Sequence, residues 1–163
     1  MADIEERVLA ALERLGIEHR LEACAPEDAD TAVFCEKHGH PVENAANALI
    51  VSTQKEPRQH VCCIVPGDHR LDVNGTVKRR LGSRCSFAKA EEMKALTGME
   101  VGGVTPFALP EDLPIWVAEA LLERPEAIVG TGGRTSKLFV SPQALAELPN
   151  AEVVPELSRP RPS

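Results

Sequence analysis

VGGVTPFALP, residues 101–110, combines two adjacent glycines with two prolines around Val104 and Thr105. One glycine or one proline is enough to turn a chain, so a plain turn into a strand leaves part of this composition unexplained. Paired glycines lack a Cβ and let the backbone come close to a ligand or to another backbone. Pro106 fixes its own φ and keeps Thr105 extended. The stretch predicts either a tight turn or the wall of a ligand pocket.

The composition limits the kinds of fold and partner. A chain of 163 residues, 43% apolar and 26% charged, suits one globular domain with a single core. Four Phe, one Trp and no Tyr argue against a protein that stacks many bases, and a net charge of −7 argues against broad contact with a phosphate backbone. Contact with one end of an RNA is compatible with both the low aromatic content and the negative net charge. The basic run Lys78-Arg79-Arg80 fits either a solvated helix face or a clamp for an RNA terminus.

The cysteines and the first segment indicate a reducing compartment. Five cysteines at irregular spacing do not suit a disulfide framework, and the pair Cys62-Cys63 lies in an apolar run expected in the core. The acidic, amphipathic start MADIEERVLAALERLG is unlike a signal or transit peptide, and no apolar run reaches the length of a membrane span. We therefore expect a cytoplasmic protein that binds neither membrane nor DNA.

Helical and strand patterns follow one another irregularly. Helices are expected in IEERVLAALERL, DTAVFCEKHGH, LDVNGTVKRRLG, SFAKAEEMKALTG and QALAEL, and strands in IEHRLEAC, ALIVSTQ, HVCCIVPG, KLFVSP and AEVV. The stretches PIWVAEALLE and EAIVGTGG together predict a strand, a short helix and a strand. Because there is no regular βαβ alternation, we expect an α+β fold with a mixed, partly barrel-like sheet and peripheral helices. One domain is expected over residues 1–155, followed by a flexible, proline-rich tail at 156–163.

Two apparent motifs fail on spacing. GTGGRTSK at 130–137 matches neither a phosphate loop nor a dinucleotide fingerprint, and a strand follows it where both motifs need a helix. Cys35, His38 and His40 lie close together, but zinc needs a fourth ligand at a second short spacing. We therefore expect no cofactor and no metal.

Three long motifs occur in a recognisable order: VPGDHRLD before a basic helix, then SFAKAEEMKALTGMEVGGVTPFALP, then VGTGGRTSKLFVSPQAL. This order, over roughly residues 3–150, resembles the YbaK family, also called the prolyl-tRNA synthetase-associated or bacterial insertion-domain family. The most specific element is the GxxxP pattern at 102–106. The resemblance implies a trans-editing hydrolase that removes a wrongly attached amino acid from the acceptor end of tRNA. Such enzymes are needed because one methylene in a synthetase pocket is worth only about 1–3 kcal/mol of discrimination.

The resemblance also implies roles for residues. The backbone N–H groups of Gly102 and Gly103 would hold the ester carbonyl, and Asn47 would contact the ester or the ribose. The terminal ribose hydroxyl of the substrate would help to activate water, so no side-chain base is required. Further implied contacts are Thr31, Val104, Thr105, Pro106, Gly130, Thr131, Gly132 and Gly133 for the aminoacyl group, and Lys78, Arg79 and Lys137 for the tRNA.

One position departs from the family pattern. Family members with editing activity carry a lysine just before the first buried strand, whereas the segment AANALIV has Asn47 there. Asparagine donates a hydrogen bond but carries no charge. Two alternatives therefore stay open: a non-catalytic module that binds an aminoacyl-tRNA end, an amino acid or another protein, and a hydrolase of a different small ester. An aminoacyl-tRNA synthetase is a candidate protein partner.

Overall fold

The computed structural model describes residues 3–162, which form α-helices, strands and short helical turns. The α-helices are α1 (Ile4–Arg14), α2 (Thr31–His38), α3 (Lys78–Leu81), α4 (Ala90–Thr97) and α5 (Pro142–Ala146). The strands are β1 (Arg20–Ala23), β2 (Ala46–Thr53), β3 (His60–Pro66), β4 (His69–Leu71), β5 (Cys85–Phe87), β6 (Ile115–Ala118), β7 (Ala127–Gly130), β8 (Ser136–Val140), β9 (Ala151–Val154) and β10 (Ser158–Pro160). This mixture confirms the predicted α+β class.

The strands form three sheets. The largest has five strands in the order β5-β2-β3-β6-β9, with β2 antiparallel to β3 and β5, and β6 parallel to β3 and β9. A three-stranded antiparallel sheet has the order β1-β8-β7, and β4 pairs with β10 in a third. The sheet is therefore mixed, as expected.

The large sheet is buried on both faces. Cys62 and Ile64 of β3 pack into one apolar cluster, whereas Val61, Cys63 and Val65 pack into another. This split follows from the strand geometry, because successive side chains point to opposite faces. Both cysteines of the run are core residues, as predicted.

Helix ends follow capping chemistry that the sequence reveals. Asp3 caps α1, its carboxylate accepting from the N–H of Glu6 at 2.8 Å. Gly39 and Gly98 end α2 and α4 in the left-handed region, with φ of 75° and 74°. None of the helices within residues 3–162 is both long and apolar enough to cross a membrane.

Three segments differ from the expectation. The helix expected in LDVNGTVKRRLG is a π-helical turn, Val73–Val77, followed by the short α3. The helix expected from residue 86 begins at Ala90, because Cys85–Phe87 pair with β2. The tail expected to be flexible forms β10 at Ser158–Pro160.

Candidate functional site

A cavity of about 490 Å³ opens where β2, the N-terminus of α2 and the loop 101–110 meet, and we call it the β2 pocket. It brings together four residues singled out in the sequence: Thr31, Asn47, Gly102 and Val104. The sequence did not single out the other lining residues, which are Asp30, Ala32, Ala46, Ala48, Leu49, Gly67 and Arg161. The wall contributed by β2 is mostly apolar.

The N-terminus of α2 supplies the polar wall. Asp30 caps the helix, one carboxylate oxygen accepting from the N–H groups of Ala32 at 3.0 Å and Val33 at 3.3 Å. Thr31 is the first helical residue. A helix N-terminus carries a partial positive charge, but the Asp30 carboxylate offsets it, so this wall presents a carboxylate to a ligand.

Gly102 and Gly103 play different parts in the loop. Gly102 lines the pocket with φ of 85°, a backbone region that favours glycine. The N–H of Gly103 donates to the carbonyl oxygen of Glu100 at 2.9 Å, so the N–H expected to hold a substrate carbonyl already has a partner within the loop. Within residues 3–162, the N–H groups of Gly102 and Val104 donate to no acceptor. Because both residues also line the β2 pocket, these groups are its candidate backbone donors.

The glycines of 130–133 support the loop from behind and do not line the β2 pocket. Gly132 N–H donates to Gly103 O at 2.6 Å, and Glu100 N–H donates to Gly132 O at 2.9 Å. A Cβ on Gly103 would overlap the carbonyl oxygen of Gly133. The paired glycines thus allow two backbones to pack directly together, and Gly130, Thr131, Gly132 and Gly133, which were expected to contact the aminoacyl group, lie outside the β2 pocket.

Thr105 and Pro106 also lie away from the β2 pocket. Thr105 is completely buried and its Oγ1 has no hydrogen-bond partner within the described chain. Pro106 lines a different cavity, of about 410 Å³, together with Ala11 and Arg14 of α1. The GxxxP loop therefore presents Gly102 and Val104 to the pocket and turns its last two residues towards the core.

Lys137 lies inside the protein, contrary to the expected contact with tRNA. Its side chain is completely buried in β8. The Nζ donates to Gly102 O at 2.7 Å and to Thr31 Oγ1 at 3.2 Å, so the ammonium group joins two walls of the β2 pocket from behind. Burial lowers the pKa of Lys137 to about 8.

The other two predicted tRNA contacts, Lys78 and Arg79, are exposed on α3 and do not line the β2 pocket. Arg79 donates to Thr76 Oγ1 at 3.3 Å. The neighbouring Arg80 pairs with Glu152 and lies over the ring of Trp116, so it is held within the fold. Only part of the basic run is therefore available to a partner.

The histidine and cysteine cluster does not form a metal site. His38 and His40 both contact the carboxylate of Glu22, at 2.9 and 3.1 Å. Within residues 3–162, no group of three or more His, Cys, Asp or Glu side chains is arranged to hold a metal ion.

Comparison with known proteins identifies the family. A model of the aminoacyl-tRNA editing domain matches residues 25–148. The multifunctional Ser/Thr-tRNA deacylase ProXp-y of Escherichia coli K12 is 27% identical over 136 residues, which cover 83% of this chain and 81% of that protein. The candidate Cys-tRNA(Pro)/Cys-tRNA(Cys) deacylase EbsC of Enterococcus faecalis is 25% identical over 92 residues, and the match spans 56% of each protein, just over half the length of that relative.

Solved structures agree with this result. A crystal structure of a hypothetical protein has a TM-score of 0.83 and 29% identity, covering 94% of this chain and 99% of that one. The crystal structure of a candidate trans-editing enzyme for prolyl-tRNA synthetase has a TM-score of 0.81 and 26% identity, covering 95% of this chain and 97% of that one. The resemblance to the YbaK family inferred from the sequence is confirmed.

Proposed function

This chain belongs to the aminoacyl-tRNA editing domain family, and we propose that it is a trans-editing hydrolase that deacylates mischarged aminoacyl-tRNA in the β2 pocket. The observation that carries the proposal is the pocket itself. It combines two unused backbone N–H groups, at Gly102 and Val104, with the N-terminus of α2 and an apolar wall from β2. An ester carbonyl needs hydrogen-bond donors, and the aminoacyl side chain needs apolar contacts.

The reaction follows from these groups. A water oxygen adds to the ester carbonyl carbon, and the carbonyl oxygen becomes an oxyanion. We assign the N–H groups of Gly102 and Val104 to this oxyanion, where each such donor is worth about 3–4 kcal/mol of barrier. The bond between the carbonyl carbon and the ribose oxygen then breaks, and the ribose oxygen takes the proton that the attacking water has lost. The products are the free amino acid and tRNA with a free terminal hydroxyl.

Asp30 and Asn47 provide the remaining polar contacts. The Asp30 carboxylate is placed to accept hydrogen bonds from the α-ammonium group of the aminoacyl ester. Asn47 is half-buried and its side chain has no hydrogen-bond partner within the described residues, so it can bind the ester or the neighbouring ribose hydroxyl. Proton transfer through that ribose hydroxyl fits a pocket whose titratable lining residues are Asp30 and Arg161.

Lys137 supports the site without contacting the substrate. Its bonds to Gly102 O and Thr31 Oγ1 fix the distance between the loop and α2. Its positive charge favours negative charge in the β2 pocket, as an oxyanion requires. We therefore assign Lys137 as a positioning residue.

The experiment measures deacylation of tRNAs charged with correct and incorrect amino acids, monitored by the release of labelled amino acid. It compares the parent with Asn47→Ala and Asn47→Lys. We expect the parent to accelerate hydrolysis of at least one mischarged tRNA and Asn47→Ala to slow it. If the parent is inactive on every substrate, the proposal is wrong. Activity gained only in Asn47→Lys would then favour a non-catalytic binding module. This is the second candidate function, because the pocket holds the uncharged Asn47.

A further inference from the structure

The C-terminal segment builds a local concentration of positive charge beside the β2 pocket. In the pairing of β10 with β4, Arg159 lies directly opposite Arg70. Like charges in that arrangement repel each other, unless an anion lies between them. Arg161 follows, its N–H donating to Asp68 O at 2.9 Å and continuing the ladder.

Acidic side chains neutralise this cluster only in part. Arg159 contacts Asp72 Oδ2 at 3.4 Å. Within residues 3–162, no carboxylate lies within 4.0 Å of the guanidinium group of Arg70 or Arg161, although the chain carries a net charge of −7. An arrangement that costs stability and leaves two guanidinium groups unpaired is well suited to binding phosphate.

The three arginines line a second cavity, of about 750 Å³, which we call the arginine cleft. It shares Asn47, Leu49 and Arg161 with the β2 pocket. The two cavities are therefore neighbours on the β2 edge of the molecule.

An exposed aromatic ring completes the cleft. Phe87 of β5 lies on its wall and is 54% exposed, whereas Phe34, Phe107 and Phe139 are buried. Exposing an aromatic ring to water is unfavourable, but the exposed ring offers a face on which a base can stack. The low aromatic content of the chain excludes a long stacking surface, and one ring is sufficient for one base.

We propose that the arginine cleft binds the single-stranded 3′ end of the tRNA whose terminal ester lies in the β2 pocket. Phe87 stacks on a base, and Arg70, Arg159 and Arg161 bind phosphates of the adjacent nucleotides. This assignment rests on the proposed function, because it takes the ester as the fixed point from which the RNA leaves the pocket.

The test measures binding of 5′-labelled, uncharged tRNA, and of the same tRNA without its single-stranded 3′ end, by fluorescence anisotropy over a range of salt concentrations. The variants are Phe87→Ala and the double variant Arg159→Ala/Arg161→Ala. Arg14→Ala is the control for the loss of an arginine elsewhere on the protein, because Arg14 lines a cavity that shares no residue with the arginine cleft.

We expect Phe87→Ala to weaken binding of intact tRNA roughly 5- to 100-fold. The double variant should lower the slope of log affinity against log salt by about 1.4, since each single-strand phosphate contact contributes about 0.7. Neither change should alter the affinity of tRNA without its 3′ end. Binding of intact tRNA that is unchanged in both variants, or equal with and without the 3′ end, would overturn the assignment.

Deacylation kinetics separate this inference from the proposed function. If the parent hydrolyses a mischarged tRNA and the variants of the arginine cleft do so with unchanged KM, the assignment of the cleft is wrong and the proposed function stands. If the parent hydrolyses nothing but the variants lose affinity for intact tRNA, the cleft is a binding site and the hydrolytic function is wrong.

Discussion

At the scale of single residues, Lys137 shows how a charge inside the protein can serve a site that it does not enter. The ammonium group lies behind the β2 pocket and donates to Gly102 O and Thr31 Oγ1. Burial is the main cause of its lowered pKa, and Arg134 acts in the same direction, whereas Cys24, Asp30 and Cys35 oppose it. The sequence placed Lys137 next to a glycine-rich loop, and such a lysine is most often exposed.

The lowered pKa of Lys137 predicts a change of stability with pH. The pKa is about 8 in the folded protein and 10.5 in an unperturbed lysine, so between these values the unfolded chain binds more protons and stability rises with pH. Urea denaturation at pH 7.5 and pH 9 should show the parent gaining about 1 kcal/mol of unfolding free energy relative to a variant without this amine.

The matched variant for this prediction is Lys137→Met, which keeps the length of the side chain and removes the titrating group. The contribution of Lys137 should be absent in this variant. Burial also raises the pKa of the thiols of Cys35, Cys62 and Cys63, which lowers stability as the pH approaches 9, but this loss is common to both proteins and cancels in their difference. Parallel pH dependences for parent and variant would show that Lys137 is not the group responsible.

Asp30 gives a second prediction at this scale, through Asp30→Asn. Asparagine caps helices about as well as aspartate, so the midpoint of thermal unfolding should change little. The KM for aminoacyl-tRNA should rise about tenfold, because a charge-assisted hydrogen bond to the α-ammonium is lost. N-acetylaminoacyl-tRNA lacks that charge and should be hydrolysed equally by both proteins. Glu27→Gln, a change in an exposed residue outside the β2 pocket, is the control, and an equal loss on both substrates would refute the role of Asp30.

At the scale of elements, the loop 101–104 and the loop 130–133 form one unit. Their backbones hydrogen-bond to each other, and Lys137, which follows the second loop, holds Gly102 of the first. The two glycine-rich stretches were separate signals in the sequence. In the fold their main common role is close packing, and this packing sets the position of the N–H groups that we assign to the oxyanion.

Gly103→Ala and Gly133→Ala test this packing as a matched pair. A Cβ on Gly103 would overlap Gly133 O, whereas a Cβ on Gly133 would meet nothing within 4 Å. We expect Gly103→Ala to lower the free energy of unfolding by about 1–3 kcal/mol, and Gly133→Ala to change it by less than about 0.5 kcal/mol. Thermal denaturation followed by circular dichroism measures both, and equal midpoints would argue against the packing.

The sequence predicted the elements better than it predicted their distant contacts. The β-branched run of β2 and the period of α1 are local signals, and both elements occur where they were expected. β10 was not predicted, because a proline-rich end carries no local strand signal and its partner β4 lies more than 80 residues earlier. Such long-range pairing depends on the whole fold.

The sequence predicted some residues of the candidate site and missed others. Thr31, Asn47, Gly102 and Val104 were identified from the GxxxP pattern and the family resemblance, and they line the β2 pocket. Thr105 and Pro106 were misplaced because a sequence motif does not reveal which residues of a loop turn towards the core. Ala48 and Leu49 carry no chemical signal, and they became part of the site only through the position of β2.

At the scale of the whole molecule, an acidic protein carries two neighbouring cavities that share three lining residues, and one of them is basic. The net charge is −7, whereas Arg70, Arg159 and Arg161 line the cavity next to the β2 pocket. This distribution limits contact with RNA to one end of the molecule and disfavours non-specific binding along a duplex. It agrees with a protein that acts on the aminoacyl end of tRNA.

The central claim is that the β2 pocket is where an aminoacyl ester is hydrolysed. The most direct test compares deacylation of a mischarged tRNA panel by the parent, Ala48→Leu and Ala23→Leu. Ala48 is half-buried in the pocket wall, where leucine would occupy the space for the substrate, and Ala23 is exposed on β1 outside the pocket. The account predicts that the parent deacylates at least one tRNA, that Ala48→Leu slows this at least about tenfold, and that Ala23→Leu does not. No deacylation by the parent, or equal rates in all three proteins, would contradict it.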